Sequence, residues 1–226
     1  MNLKEHYNQL YQESSKAILN NNYSIDHQIK NTADSRFGIT LLLRPNEKIK
    51  SATQLFLNEL RQIEPNQYYY PNSDIHSTVM SIISCYNGFT LDKINIEDYI
   101  TVIQESLINL DKIKIRFQGI TASSSAIMLQ GFPSDESLHR LRNKLRYNFK
   151  KTNLEQSIDS RYAILTAHAT VMRFQEKLQN PSKLIETVEK FRNFDFGEFT
   201  AENLELVFND WYQRAEKTIH LKNFRL

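Results

Sequence analysis

The chain has 226 residues, 40% of them hydrophobic and 24% charged, with a net charge of +2. That size suits a domain with a sizeable core, and near-neutrality removes any electrostatic demand for nucleic acid beyond a local basic patch. The single cysteine, Cys85, excludes an intramolecular disulfide framework and a Cys-rich metal site. Five glycines and five prolines leave no flexible linker. The start, Met1 to His6, is polar, and no run approaches the length of a membrane span. A soluble cytoplasmic monomer without membrane contact is the expectation.

In chain order, Leu3, Tyr7, Leu10, Tyr11, Ile18 and Leu19 fall on one face of an amphipathic helix that Asn20-Asn21-Asn22 stops. With the polar connection after it, residues 1–35 read as a helical arm packed on a main body of residues 36–226. Phe37 to Leu43 predicts a buried strand ended by Arg44-Pro45-Asn46. Ile49, Ala52, Leu55, Phe56, Leu60 and Ile63 predict a helix over 47–63, with Pro65 as its stop. A strand is expected from His76 to Ile83 and a helix from Ile96 to Leu110. Two strands, 113–120 and 126–132, pair across Thr121-Ala122-Ser123. Ser134 predicts the N-cap of a helix reaching about Phe149. A strand over 164–174, a helix over 181–191 and two strands, Ala201 to Phe208 and one from Thr218, complete the chain. Both halves carry the same kind of unit, an α+β pattern with an internal duplication.

A short phrase occurs twice. Ile75-His76-Ser77-Thr78-Val79-Met80-Ser81 and Ala167-His168-Ala169-Thr170-Val171-Met172-Arg173 both read His-x-Thr-Val-Met in an apolar, β-branched run. Strand alternation puts the His and Thr of each copy on one face. A lone His-x-Thr is most often structural; two copies at matching places are a poor coincidence. Facing each other across a cleft, two imidazoles supply the base and the acid for a displacement at phosphorus. The Thr78 and Thr170 hydroxyls suit the non-bridging oxygens, where negative charge must be stabilised. No His-Glu-x-x-His pair, cysteine pair or clustered Asp motif offers a metal cage, and no Gly-rich phosphate loop is present, so neither metal nor cofactor is expected.

The segments His76-Ser77-Thr78-Val79 and His168-Ala169-Thr170-Val171 resemble the two signatures of the two-histidine (2H) phosphoesterase superfamily, which includes bacterial RNA 2′,5′-ligases and cyclic nucleotide phosphodiesterases. The order of elements from about Phe37 to Leu226 is similar as well; residues 1–35 lie outside the resemblance. It implies a bilobal α+β fold with duplicated antiparallel sheets, flanking helices and a central cleft to which each lobe gives one motif. It implies metal-independent cleavage of a 2′,3′-cyclic phosphate, or the reverse joining in a 2′,5′ linkage, with an RNA end or cyclic nucleotide as substrate. His76 and His168 carry over as base and acid, in either order, and Thr78 and Thr170 as phosphate holders. Arg173 resembles a further contact that follows the second motif in many relatives, while Ser81 stands at its place in the first copy. Strict alternation puts Arg173 opposite His168 unless the strand bulges. A module that holds a nucleotide or RNA end in the same cleft without turnover is the alternative.

The run Tyr68-Tyr69-Tyr70 offers aromatic faces to a nucleobase at the cleft mouth, with Tyr70 as the expected substrate contact; half-buried packing is the competing account. Tyr86 and Trp211 are weaker versions of the same idea, and Trp211 reads as a packing cap. The helix from Ser134 carries Arg140, Arg142, Lys144, Arg146 and Lys150 off its apolar face, a surface for an RNA backbone or simply a solvated one. Cys85 reads as core. His6, His27, His139 and His220 lack the His-x-Thr context.

Overall fold

The computed structural model describes residues 2–226. In chain order the elements are α1 (Leu3–Leu19), β1 (Arg36–Leu43), α2 (Glu47–Ile63), β2 (Tyr68–Tyr69), β3 (Ser77–Asn87), α3 (Ile96–Leu107), β4 (Lys114–Ala122) and β5 (Ala126–Pro133). They continue with α4 (Ser137–Lys150), β6 (Ala169–Arg173), α5 (Pro181–Lys190), β7 (Asp195–Thr200), β8 (Asn203–Asp210) and β9 (Ile219–Arg225). Three of the helices begin where an asparagine side chain satisfies free N–H groups: Asn2 accepts from Lys4 and Glu5 N, Asn46 from Ile49 N, and Asn180 from Lys183 N. Each then buries one stripe, as α2 does through Ile49, Thr53, Phe56, Leu57 and Leu60.

The strands form two antiparallel sheets, β3-β1-β8-β9 and β2-β6-β5-β4-β7. The first motif belongs to the four-stranded sheet and the second to the five-stranded one, so the two-lobed α+β architecture is as expected. The lobes are not successive halves of the chain, however. The closing strands β8 and β9 complete the first sheet, while β2 adds itself to the second. Helices cross over too: α2 packs on β6 and β7, and α4 packs behind β3. Both sheets share one continuous core. In α1, Tyr7 is buried, and its hydroxyl donates to Gly131 O (3.1 Å) and accepts from Gly131 N (3.3 Å).

Several boundaries move. His76 precedes β3, and β3 runs on to Asn87. β6 is only five residues long, because Ile164 to His168 lie along the cleft, where side chains take carbonyls that a neighbouring strand would otherwise take: Arg146 takes Ile164 O (3.4 Å) and Arg142 takes Thr166 O (2.8 Å). α3 stops at Leu107. α4 begins at Ser137 rather than after Ser134, since Ser134 N bonds Lys114 O in continuation of β5, and Asp135 Oδ1 accepts from Ser137 N. The short β2 and the polar β7 are not apparent in the sequence pattern, and β8 runs past Phe208 to Asp210.

Candidate active site

The two motifs adopt one backbone shape. On β3, Leu41 pairs with Met80 and Leu42 with Thr78, so Val79 is an extra residue. On β6, Ile127 pairs with Met172 and Met128 with Thr170, so Val171 is the extra one. Each copy is a β-bulge, and the bulge resets alternation by one position. Val79 and Met80, like Val171 and Met172, are buried, which returns Ser81 and Arg173 to the same face as the threonines. His76, Thr78 and Ser81 therefore line one cleft with His168, Thr170 and Arg173. Arg173 is on the cleft face because the strand bulges.

Each bulge leaves a carbonyl outside the ladder, and each is satisfied differently. Val171 O accepts from Tyr70 N (3.0 Å). Val79 O accepts from Arg142 Nε (3.0 Å), and the same guanidinium donates to Thr78 O (2.9 Å) and Thr166 O (2.8 Å). Arg142 is 2% exposed. From α4 it thus ties the first motif to the segment leading into the second. Burial, then Arg146, pulls it down to about 10, so it remains a cation at neutral pH.

The imidazoles are held by Nδ1. His76 Nδ1 stands 2.7 Å from Asp74 O, and His168 Nδ1 stands 2.7 Å from Thr166 Oγ1. Nε2 of both rings is without a protein partner among the described residues. A carbonyl only accepts, so His76 Nδ1 carries hydrogen and the neutral ring's lone pair is on Nε2; the Thr166 hydroxyl can donate or accept, so either tautomer fits at His168. Desolvation by the cleft walls lowers both rings to about 4, helped at His76 by Arg44 and His168 and at His168 by Arg142 and Arg173. Both are therefore neutral in the free cleft at pH 7.

Tyr70 is 1% exposed and presents its hydroxyl, not an open ring face, to the cleft: it accepts from Arg173 Nε (2.9 Å). Burial removes the stacking surface expected of it and gives it a bracing place beneath Arg173. Tyr68 packs on Tyr70 and Tyr212, and the Tyr69 hydroxyl donates to Glu64 O. Trp211, expected as a packing cap, instead lines the cleft, as do Thr40, Arg161 and Tyr162. No local pattern marks them; the polar stretch ending at Arg161 is drawn in by a bond from Arg161 Nη2 to Cys85 O (2.9 Å). Cys85 is buried, which pushes its thiol up to about 12. Of the other α4 cations, Arg140 is engaged with Asp111, Arg146 with Asp159 and Lys144 with Ile108 O, while Lys150 is exposed. Among the described residues there is no group of three His, Cys, Asp or Glu side chains arranged to hold a metal ion, and no helix is long and apolar enough to cross a membrane.

A family model for the AKAP7 2′5′ RNA ligase-like domain matches residues 5–217, taking in both motifs and most of α1. The chain belongs to this family. Its fold is that of the 2H phosphoesterases: TT0787 of Thermus thermophilus superposes with a TM-score of 0.61 at 16% identity, over 84% of this chain and 97% of that one. E. coli LigT complexed with 3′-AMP gives a TM-score of 0.55 at 13% identity, over 84% and 98% of the two chains. ATU0111 from Agrobacterium tumefaciens gives 0.55 at 15% identity, over 91% and 96%. No curated protein sequence matches. Membership of this RNA ligase-like family places the chain among phosphoesterase or ligase-type enzymes.

Proposed function

We propose that the protein is a phosphoesterase that opens a 2′,3′-cyclic phosphate, or a related phosphodiester of RNA or a nucleotide, by two-histidine acid–base catalysis that needs no metal. Run in reverse, the same chemistry joins a cyclic phosphate to a hydroxyl in a 2′,5′ linkage. The observation that carries this reading is the pair of imidazoles in one cleft, each anchored through Nδ1 with Nε2 unbonded. That E. coli LigT has been crystallised with 3′-AMP, and in a separate structure with phosphate, is in keeping with a nucleotide or RNA-end ligand.

The Nδ1–H tautomer that Asp74 O favours suits His76 to the part of the base. Its Nε2 takes a proton from water as the water oxygen bonds phosphorus, the bond from phosphorus to one ribose oxygen breaks, and that oxygen takes a proton from His168 Nε2. The products are a phosphomonoester and a ribose hydroxyl, and the two rings have exchanged protonation states. Burial keeps His168 neutral in the empty cleft; an entering phosphate anion favours its charged form and so loads the acid. Thr78, Thr170 and Arg173 hold the non-bridging oxygens as charge builds on them.

The test compares a 2′,3′-cyclic nucleotide with a phosphodiester bearing a p-nitrophenyl leaving group, which departs without protonation. H168A should lose turnover of the first and regain much of it on the second; H76A should lose both. Tight binding of cyclic-phosphate substrates by the wild-type protein, with no product from any of them, would overturn the proposal in favour of a binding module.

A further inference from the structure

Beyond the motifs, two cations that line the cleft, Arg173 and Arg161, are joined by a ladder of alternating cations and aromatic rings, in which Trp211 also lines the cleft while Arg36 and Tyr212 lie behind it. The Arg173 guanidinium stands 5.6 Å from the Tyr212 ring centre, and Arg36 stands 5.8 Å from the same ring. Arg36 also stands 5.1 Å from the Trp211 ring centre, and Arg161 stands 4.5 Å from it. The inner rung is neutralised, since Arg36 pairs with Asp34. The two ends are not: among the described residues neither Arg161 nor Arg173 has a carboxylate within ion-pair distance. Asp159, the carboxylate that lines the cleft near Arg161, is taken by Arg146 at 2.5 Å.

Both free cations line the cleft that holds the motifs. Arg173 belongs to the reacting phosphate, two positions from a bulged valine and braced by Tyr70. Arg161 is fixed at the other end: Nη2 is spent on Cys85 O and the guanidinium is stacked on Trp211, which leaves Nη1 and Nε as open donors. A guanidinium held by a stacked ring and a backbone carbonyl has lost its rotamer freedom before a ligand arrives, and its planar donor edge matches phosphate oxygens.

We infer that Arg161, braced by Trp211, is a second phosphate-binding position, and that the preferred substrate is an open oligonucleotide chain with at least one phosphate besides the reacting one. The inference rests on the phosphoesterase reading above. A second cation with open donors in the same cleft favours a chain with a second phosphate over a single nucleotide, and cation with stacked ring is the pairing that single-stranded nucleic acid selects.

Turnover of adenosine 2′,3′-cyclic monophosphate is compared with that of di- and triribonucleotides ending in a 2′,3′-cyclic phosphate. The longer substrates should have the higher kcat/KM, and R161A should lower theirs about tenfold more than it lowers that of the mononucleotide, mainly through KM, with R161K in between. Equal effects on all three would overturn the inference while leaving the phosphoesterase reading intact. Trp211 is the only tryptophan in the chain, so its fluorescence gives a readout free of catalysis. Titration with a diadenylate bearing a terminal 3′-phosphate should give a lower Kd than 3′-AMP, and R161A should abolish the difference. If nothing is turned over but that difference stands, the catalytic reading fails and the second phosphate position holds. A cyclic dinucleotide bearing the same two phosphates is the control; stronger dependence on Arg161 for the ring than for the open chain overturns the open-chain assignment.

Discussion

The two half-sites share a backbone and differ in what surrounds it. The first sits on β3, at the edge of its sheet, with its bulge carbonyl held by a buried side chain from α4 and its imidazole held by a backbone carbonyl. The second sits on β6, inside its sheet, with its bulge carbonyl held by Tyr70 N and its imidazole held by a hydroxyl. Where the first ends in Ser81, the second ends in Arg173. The duplicated bulge supplies two matched faces, and the neighbours make them chemically unlike. A reaction that needs one proton acceptor and one proton donor at opposite ends of a phosphate calls for that kind of pair.

That comparison can be broken most severely at the rings. H76A and H168A should each cost about 10²–10⁴-fold in kcat while circular dichroism stays native. The double variant should be little worse than the poorer single one, since the two act as a unit. R142M comes next. It strands the carbonyls of Thr78, Val79 and Thr166, so kcat should fall about tenfold or more with KM little changed, and calorimetry should show a loss of about 2 kcal/mol. R142K should recover part of the stability.

R173S makes the second copy resemble the first and should lower kcat/KM about tenfold; adding S81R should not restore it if the ends of the cleft differ. The smallest effect on rate is expected from T166V, about fivefold in kcat, because it frees His168 Nδ1 without touching His76. The halves should agree in one property. Both rings fall from 6.5 to about 4 on folding, so the unfolded chain takes up protons first as pH drops. Their contribution is complete above pH 6.5 and is lost as pH falls towards 4. The melting temperature should decline over that window, and H76N/H168N should flatten the slope.

What the sequence displays and what it conceals follow from the range of the forces involved. Helical periodicity is local, and the bounds of α2 are legible to the residue, although Leu55 of its expected apolar face is exposed and Leu57 is buried instead. The motifs are legible because they repeat. The place of Arg173 depends on a bulge that strict alternation does not supply. Arg142 looks like one more cation on a basic helix, because the carbonyls that claim it are 63 and 64 residues earlier and 24 later. β7 is concealed by Asp195, Gly197 and Glu198, which interrupt any apolar alternation; Gly197 adopts φ +116°, a conformation that favours glycine. Trp211 and Arg161 reach the cleft only through contacts that no short window contains.

The exchange of strands between the lobes also bears on how the chain is made. β3 pairs only with β1, and the other side of β1 waits for β8, which carries the chain into Trp211 and Tyr212. Tyr7 waits for Gly131, and Asp26 waits for Tyr212. A ribosome that has released His76, or even His168, has not yet released the wall that desolvates either ring. The five-stranded sheet can therefore be complete while the four-stranded one still lacks β8 and β9, so the first motif's side of the cleft is the last to be finished.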